Sequence, residues 1–299
     1  GGTRMTYVVS DIHGHYEAYQ ALLKKISFSQ GDLLFVLGDV VDRGPRPISI
    51  LLDMAQRENV IPLLGNHEWM FLQSVRRLPW NCTLDDFMLS LDTQAYVDLS
   101  LWLLNGGRST FEEYLAQSPQ VRRDLLEYVQ DFSLYEEVQA GGHRFLLTHS
   151  SLGNFSPHKA LEDYSLDDFL WNPAKLEQTY YPDRTLVFGH TPTLQFPGWE
   201  GKILHAEAFF DVDCGCPFPE QGGRLGCLRL EDGAEFYVTP WWQAVHQNRW
   251  RNHSPGRSSG GRKGLSVQWG TPLGGGLRRG NPCSPSRCLQ WIQHGIEWN

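Results

Sequence analysis

Five short apolar runs in this chain each stop at residues that bind metals, and that repeated ending constrains the fold more than any other feature. Tyr7-Val8-Val9-Ser10 leads into Asp11-Ile12-His13-Gly14. Leu33–Leu37 leads into Gly38-Asp39, followed by Val40-Val41-Asp42-Arg43-Gly44. Val60–Leu64 precedes Gly65-Asn66-His67-Glu68, Phe145–Thr148 precedes His149, and Leu186–Phe188 precedes Gly189-His190. In open α/β sheets, ligands collect at the carboxyl ends of strands, where side chains from several strands converge. Asp11, His13, Asp39, Asn66, His149 and His190 delivered in this way make a set of hard oxygens and imidazoles suited to divalent metals.

Between residues 6 and 77 the apolar runs alternate with amphipathic stretches such as Tyr16–Ile26 and Pro47–Arg57. That alternation predicts parallel strands joined by crossover helices, with Pro47 at a helix start where a missing N–H costs nothing. Residues 84–131 read as wholly helical: Leu84, Phe87, Met88 and Leu91 share one face, as do Tyr96, Leu99, Leu103 and Leu104. Gly106-Gly107 breaks the pattern, and Ser109-Thr110-Phe111-Glu112 is suited to cap the next helix. The helical block, residues 78–131, reads as an insertion of the kind that covers an active site. Strand signals return at Leu134–Val138, Phe145–Thr148, Leu186–Phe188, Lys202–His205, Phe209–Val212, Leu225–Leu230 and Glu235–Val238. The last four follow one another closely, which predicts antiparallel pairing.

Residues 1–239 carry 18 Lys and Arg against 33 Asp and Glu, a net of −15, whereas residues 240–299 carry 8 against 1, a net of +7. So acidic a body argues against nucleic-acid binding, which needs a basic face. The stretch 240–299 has ten Gly and no apolar periodicity, and it reads as a basic tail that is disordered or translated out of frame. The catalytic domain is therefore placed at 5–239, with Met5 fitting a natural start. No stretch approaches the ~20 apolar residues of a membrane span, and no signal-peptide pattern opens the chain. Six sparse cysteines form no disulfide framework; Cys214-Gly215-Cys216 with Cys227 falls short of the four ligands of structural zinc. Reduced thiols in a cytoplasmic protein are expected.

Asp11-x-His13 puts two ligands on one side of an extended segment, and Gly14 permits a sharp turn after them. Asp39 can bridge two metals held ~3.5–4 Å apart, the spacing of two-metal hydrolases. Arg43 offers a planar fork for two phosphate oxygens. Asn66 supplies a neutral amide oxygen, and His67 is free to act as a general acid, with Asp42 as the partner that orients it. His15, His143, His158, His205, His246, His253 and His294 lack such settings and default to structural or surface roles.

Asp11-x-His13, Gly38-Asp39-x-x-Asp42-Arg43-Gly44 and Gly65-Asn66-His67-Glu68, in this order and spacing, resemble the motifs of the phosphoprotein phosphatases, most of all the compact lambda-phosphatase type of bacteria and phages. Trp102-Leu103-Leu104-Asn105-Gly106-Gly107 is similar to a helix end of that branch. The resemblance implies a calcineurin-like metallophosphoesterase: an α/β fold of two facing mixed β-sheets flanked by helices. It implies Asp11, His13 and Asp39 on one metal, and Asp39, Asn66, His149 and His190 on the other. Arg43, Asn66 and His67 would meet the phosphate. Two divalent ions are implied, manganese foremost and iron or zinc as alternatives. One departure is plain: Pro173, in Trp171-Asn172-Pro173, stands where lambda-type relatives carry a second phosphate-binding Arg, and Lys175, Arg184 or Arg108 is left to replace it.

The expected function is hydrolysis of phosphoserine and phosphothreonine proteins by a metal-bridging hydroxide, with His67 as general acid. A symmetric dinucleoside tetraphosphate hydrolase is the first alternative, against which Glu68 and the Asp42-Arg43-Gly44 turn both argue. A broad small-molecule or tyrosine phosphatase fits the same site. A non-enzymatic metal-binding scaffold is expected to have lost a ligand or His67, and none is lost.

Overall fold

The computed structural model describes residues 4–77 and 89–240, and the acidic body so described contains two five-stranded sheets. The first has the order β10-β9-β1-β2-β3, with β1 at Thr6–Val9, β2 at Leu33–Val36, β3 at Val60–Pro62, β9 at Leu225–Arg229 and β10 at Glu235–Val238. The pairs β1–β2 and β2–β3 are parallel, as the alternating text predicts; their crossovers carry α1 (Tyr16–Lys25) and α2 (Pro47–Ala55), the latter opening on Pro47. The second has the order β4-β5-β6-β8-β7, from Tyr135–Ala140, His143–Thr148, Thr185–Phe188, Phe209–Asp211 and Leu204–His205.

The late strands depart from a single antiparallel unit. β7–β8 and β9–β10 are antiparallel, but β8 runs parallel to β6, while β9 crosses to the other sheet and pairs with β1. Short turns set the hairpin partners; which sheet each hairpin joins depends on contacts far away in the chain.

Alternation along the strands decides which faces meet. Phe145 and Leu147 of β5 pack with Val8, Phe35, Leu37, Val187 and Leu228 in one apolar layer between the sheets, and Leu146 turns to the opposite side with Leu186, Phe188, Phe169 and Tyr180. Both faces of the second sheet are thus apolar. The first keeps α1 and α2 on its outer face.

The described part of the helical block comprises α4 (Thr93–Trp102), a π turn at Leu103–Gly107, α5 (Arg108–Leu115) and α6 (Pro119–Gln130); it follows α3 (Asn66–Val75). Leu84, Phe87 and Met88, and the stretch 241–299, lie outside the described residues. Leu99 is buried as expected, but Leu104 is 75% exposed, because the π turn swings it off the α4 face. Gly106 takes φ of 100°, a non-helical conformation that kinks the chain between α4 and α5, as the Gly106-Gly107 break predicts. Ser109 and Thr110 consequently sit inside α5 and cap nothing. Among the described residues no helix is long and apolar enough to cross a membrane.

Candidate active site

The ends of β1, β2 and β3 in one sheet and of β5 and β6 in the other deliver the side chains singled out in the sequence. Asp11 N–H donates to Gly38 O at 3.1 Å, His13 N–H to Asp39 O at 2.9 Å and Gly14 N–H to Val40 O at 2.8 Å, which joins the loops after β1 and β2. Eight described residues other than Gly have left-handed φ, and six of them are Asp11, His13, Asp39, Asp42, Arg43 and His190. Such conformations cost of order 1–3 kcal/mol each and persist where the surroundings dictate them. Gly14 shares the left-handed φ, at 70°, and is required for a further reason: a Cβ there would stand 2.7 Å from Gly44 O.

Asp39 lies at the middle. Its Oδ2 is 3.7 Å from His13 Nε2 and 3.9 Å from His67 Nε2, while its Oδ1 is 3.5 Å from His149 Nε2. One ligand atom each from His13, Asp39 and His67 lies within 4.8 Å of the others, and the same holds for Asp39, His149 and His190. Asp11 Oδ1 adjoins the first group at 3.7 Å from His13 Nε2, and its Oδ2 accepts the His190 N–H at 3.0 Å. Asn66 Oδ1 joins the second, 2.9 Å from His149 Nε2 and 3.1 Å from His190 Nδ1. All six predicted ligands therefore meet, and the unexpected neighbour is His67.

The chemistry of these donors fits divalent cations. His13 Nδ1 faces Val41 O at 2.9 Å and His149 Nδ1 faces Leu37 O at 2.6 Å, so each ring keeps its N–H on a carbonyl and turns the Nε2 lone pair inward. The His149 lone pair then points at another acceptor, Asn66 Oδ1, a juxtaposition that a cation between them resolves. Burial and the Arg43 charge push His13 down to about 3, and burial with His149 pushes His190 down to about 4, so both stay neutral, as metal ligands must. Burial together with Asp11 and Glu68 raises the Asp39 carboxyl well above the usual range in the absence of a compensating cation.

Around this centre is a support that only partly shows in the sequence. Burial alone would push His67 down, but Asp39 and the Asp42 carboxylate outweigh it and raise its pKa. His67 Nδ1 donates to Asp42 Oδ2 at 2.6 Å, the pairing foreseen for a general acid. Asp42 is itself held by the helical block: Trp102 Nε1 donates to Oδ2 at 2.8 Å, and Thr110 Oγ1 donates to Oδ1 at 2.6 Å while accepting the Asp42 N–H at 2.8 Å. The segment around Trp102 was legible as a motif, but Thr110 carried no signal apart from its misread place at a helix start.

Glu68 is fully buried and accepts the N–H groups of Asp39, Val40, Val41 and Gly65 at 2.7, 2.7, 3.1 and 3.0 Å. Its role is to hold the loop that carries Asp39. Arg43 is exposed, with Nη1 3.2 Å from His13 Nε2, Nη2 3.3 Å from His67 Nε2 and its guanidinium 5.7 Å from the Phe218 ring centre. Of the candidates for the second phosphate cation, Arg184 pairs with Glu137 and Asp183, and Arg108 with Glu112 at 3.0 Å. Lys175 has no ion-pair partner among the described residues, and it lines a cleft with Asn154, Asn172 and Gln178.

A fold of two facing sheets with paired Asp and His groups at their strand ends is that of the calcineurin-like phosphoesterases; the pattern of this family matches residues 5–194, and the chain belongs to it. It is therefore a phosphoesterase of the metal-dependent kind. The chain is similar to the symmetrical bis(5'-nucleosyl)-tetraphosphatases of Escherichia coli (strain K12 / DH10B) and Shigella boydii serotype 18, each 26% identical over 275 residues that span 79% of this chain and 95% of theirs. Among solved structures, one provisionally assigned as a diadenosine tetraphosphatase superposes with a TM-score of 0.52 at 20% identity, over 80% of this chain and 94% of its own. A protein serine/threonine phosphatase from Saccharomyces cerevisiae resembles it with a TM-score of 0.48 at 15% identity, over 77% of this chain and 73% of its own.

Proposed function

We propose that this chain hydrolyses symmetrical dinucleoside tetraphosphates, releasing two nucleoside diphosphates. The observation that carries the reading is the 26% identity to tetraphosphatases, sustained over 95% of their length. Of the two features that argued against it, Glu68 loses its weight. Its carboxylate is wholly engaged by backbone N–H groups of the 39–41 loop and Gly65, a structural task that does not bear on substrate choice. The Asp42-Arg43-Gly44 turn remains, and it keeps phosphoprotein hydrolysis as the second reading.

Asp11, His13 and Asp39 would hold one divalent ion, manganese in our reading, and Asp39, Asn66, His149 and His190 a second. When bound, such ions acidify coordinated water and offset phosphate charge. Arg43 is exposed at the mouth and presents its fork to phosphate oxygens. His67, held by Asp42, stands 3.9 Å from Asp39 Oδ2 and can give its Nε2 proton to the departing oxygen. Soluble nucleotides of the cytoplasm are the substrates this reading implies. The test is a side-by-side assay of the purified protein with manganese on diadenosine tetraphosphate, a phosphoserine peptide and a phosphotyrosine peptide. Turnover of the tetraphosphate to ADP at least about tenfold more efficient than of either peptide is expected. The reverse order would move the enzyme to the phosphoprotein phosphatases.

A further inference from the structure

Next to His190 stands a side chain that the metal site does not use. Trp171 is 41% exposed and meets the His190 ring edge-on, at 6.5 Å between centres and 89° between planes. Among the described residues no other ring or cation covers either face of its indole. A single exposed tryptophan needs no explanation by itself. The backbone that carries this one is held in place. The Trp171 backbone N–H donates to Asp167 O at 3.3 Å, at the end of the short helix Leu166–Leu170. Asn172 Nδ2 bonds Asp167 O and Asp168 O at 3.1 and 3.0 Å, and Ser151 Oγ bonds Asn172 O and Pro173 O at 3.1 and 2.9 Å. Ala174 N–H donates to Thr191 Oγ1 at 2.9 Å, which ties the segment to the residue after His190.

The residues that follow Trp171 in the chain line a cleft of about 250 Å³, walled by Asn154, Phe155, Asn172, Lys175 and Gln178. That size is near the lower bound of small-molecule sites, about 300 Å³. Lys175 is exposed there without an ion-pair partner among the described residues. An exposed aromatic face next to His190, and a cation and amide side chains in the cleft lined by the residues after it, match the parts of one nucleotide. Aromatic rings bind bases by stacking irrespective of sequence, and a side chain with two χ angles loses little entropy in doing so.

We infer that Trp171 and the cleft beginning at Asn172 form a nucleoside subsite, in which the indole stacks on a base and Lys175 pairs with phosphate of the same nucleotide. The inference rests on the tetraphosphatase reading and deepens it, by giving one half of the substrate a place. It also assigns Lys175, ahead of Arg184 and Arg108, as the cation that stands in for the missing second Arg.

The test compares two inhibitors that differ only in the base, AMP and ribose 5-phosphate, against hydrolysis of p-nitrophenyl phosphate by the manganese-loaded enzyme. The ratio of their inhibition constants is read within each variant, so changes in turnover do not enter it. The unaltered enzyme should bind AMP at least about tenfold more tightly than ribose 5-phosphate, in line with the stacking contribution of one aromatic ring. Trp171→Ala should bring the ratio near one, Trp171→Phe should keep most of it, and Lys175→Ala should weaken both inhibitors together. Trp171→Leu, which retains bulk without a π face, serves if the alanine variant does not fold. A ratio near one in the unaltered enzyme, or an unchanged ratio in Trp171→Ala or Trp171→Leu, would overturn the subsite. A base preference that vanishes in those variants, in an enzyme that does not cleave diadenosine tetraphosphate, would support the subsite and refute the substrate reading instead.

Discussion

His67 lies within ligand distance of His13 and Asp39, yet its Nδ1 is bound to a buried carboxylate, so two roles compete for one side chain. Substitution separates them. His67→Asn should leave metal content near two ions per chain, as an acid would, whereas a ligand's loss would lower it. Positioned acid catalysis contributes about 10²–10⁴-fold, and that loss should fall on a phosphoserine peptide, whose alkoxide leaves poorly without a proton. p-Nitrophenyl phosphate and diadenosine tetraphosphate should suffer less, because nitrophenolate and ADP depart more readily as anions. Equal losses on all three substrates with metals retained would exclude the leaving-group role. Glu68 offers a second residue-scale test. In Glu68→Gln one carboxylate oxygen becomes an NH₂ that confronts backbone donors, so buried N–H groups lose their acceptor at roughly 1–3 kcal/mol each. Urea unfolding should register a drop of about 2–5 kcal/mol, with weaker metal retention because the loop bearing Asp39 is loosened.

At the scale of elements, the helical block is part of the site through two side chains. Trp102 at the end of α4 and Thr110 in α5 both bond Asp42, from either side of the Gly106 turn. The turn also brings Gly106 O to the Arg43 N–H, at 2.9 Å. The kink at Gly106 is thus what lets two successive helices grip the loop that bears Asp42 and Arg43. Thr110→Val keeps the volume but removes both hydroxyl bonds, leaving Asp42 N–H and Oδ1 without partners. A stability loss of about 1–3 kcal/mol in thermal or urea melts is expected, together with a fall in kcat, while the constants for phosphate inhibition change little. A kcat equal to that of the unaltered enzyme would show that the hold on Asp42 does not matter to turnover.

For the whole molecule, metal removal is the broadest test. The centre gathers ligands from both sheets, so ions bound there would join the sheets as well as serve chemistry. Ligands that bind only the folded state stabilise it by mass action. Chelation should therefore abolish activity and lower the melting temperature, and manganese should restore both. Full activity in the stripped protein would contradict the metal reading, and an unchanged melting temperature would show that the sheets do not depend on the ions.

The endings of the apolar runs determined much of this protein. Residue type at five strand ends picked out six side chains that the fold brings together, the alternation of apolar runs with amphipathic stretches gave the parallel pairing of β1, β2 and β3, and the chemistry of neighbouring motifs gave the Asp42–His67 pair. Tertiary structure decided the rest, where partners are remote in sequence or where local rules compete. It placed β8 beside β6 and β9 beside β1, because hairpin rules give a strand its neighbour and not its sheet. It turned Thr110 from an expected cap into a support for Asp42, 68 residues away, since a hydroxyl goes to the nearest buried charge. It made Glu68 a clamp on the loop after β2 and set Trp171 against His190, contacts that exist only once neighbouring strands of one sheet have brought their ends together.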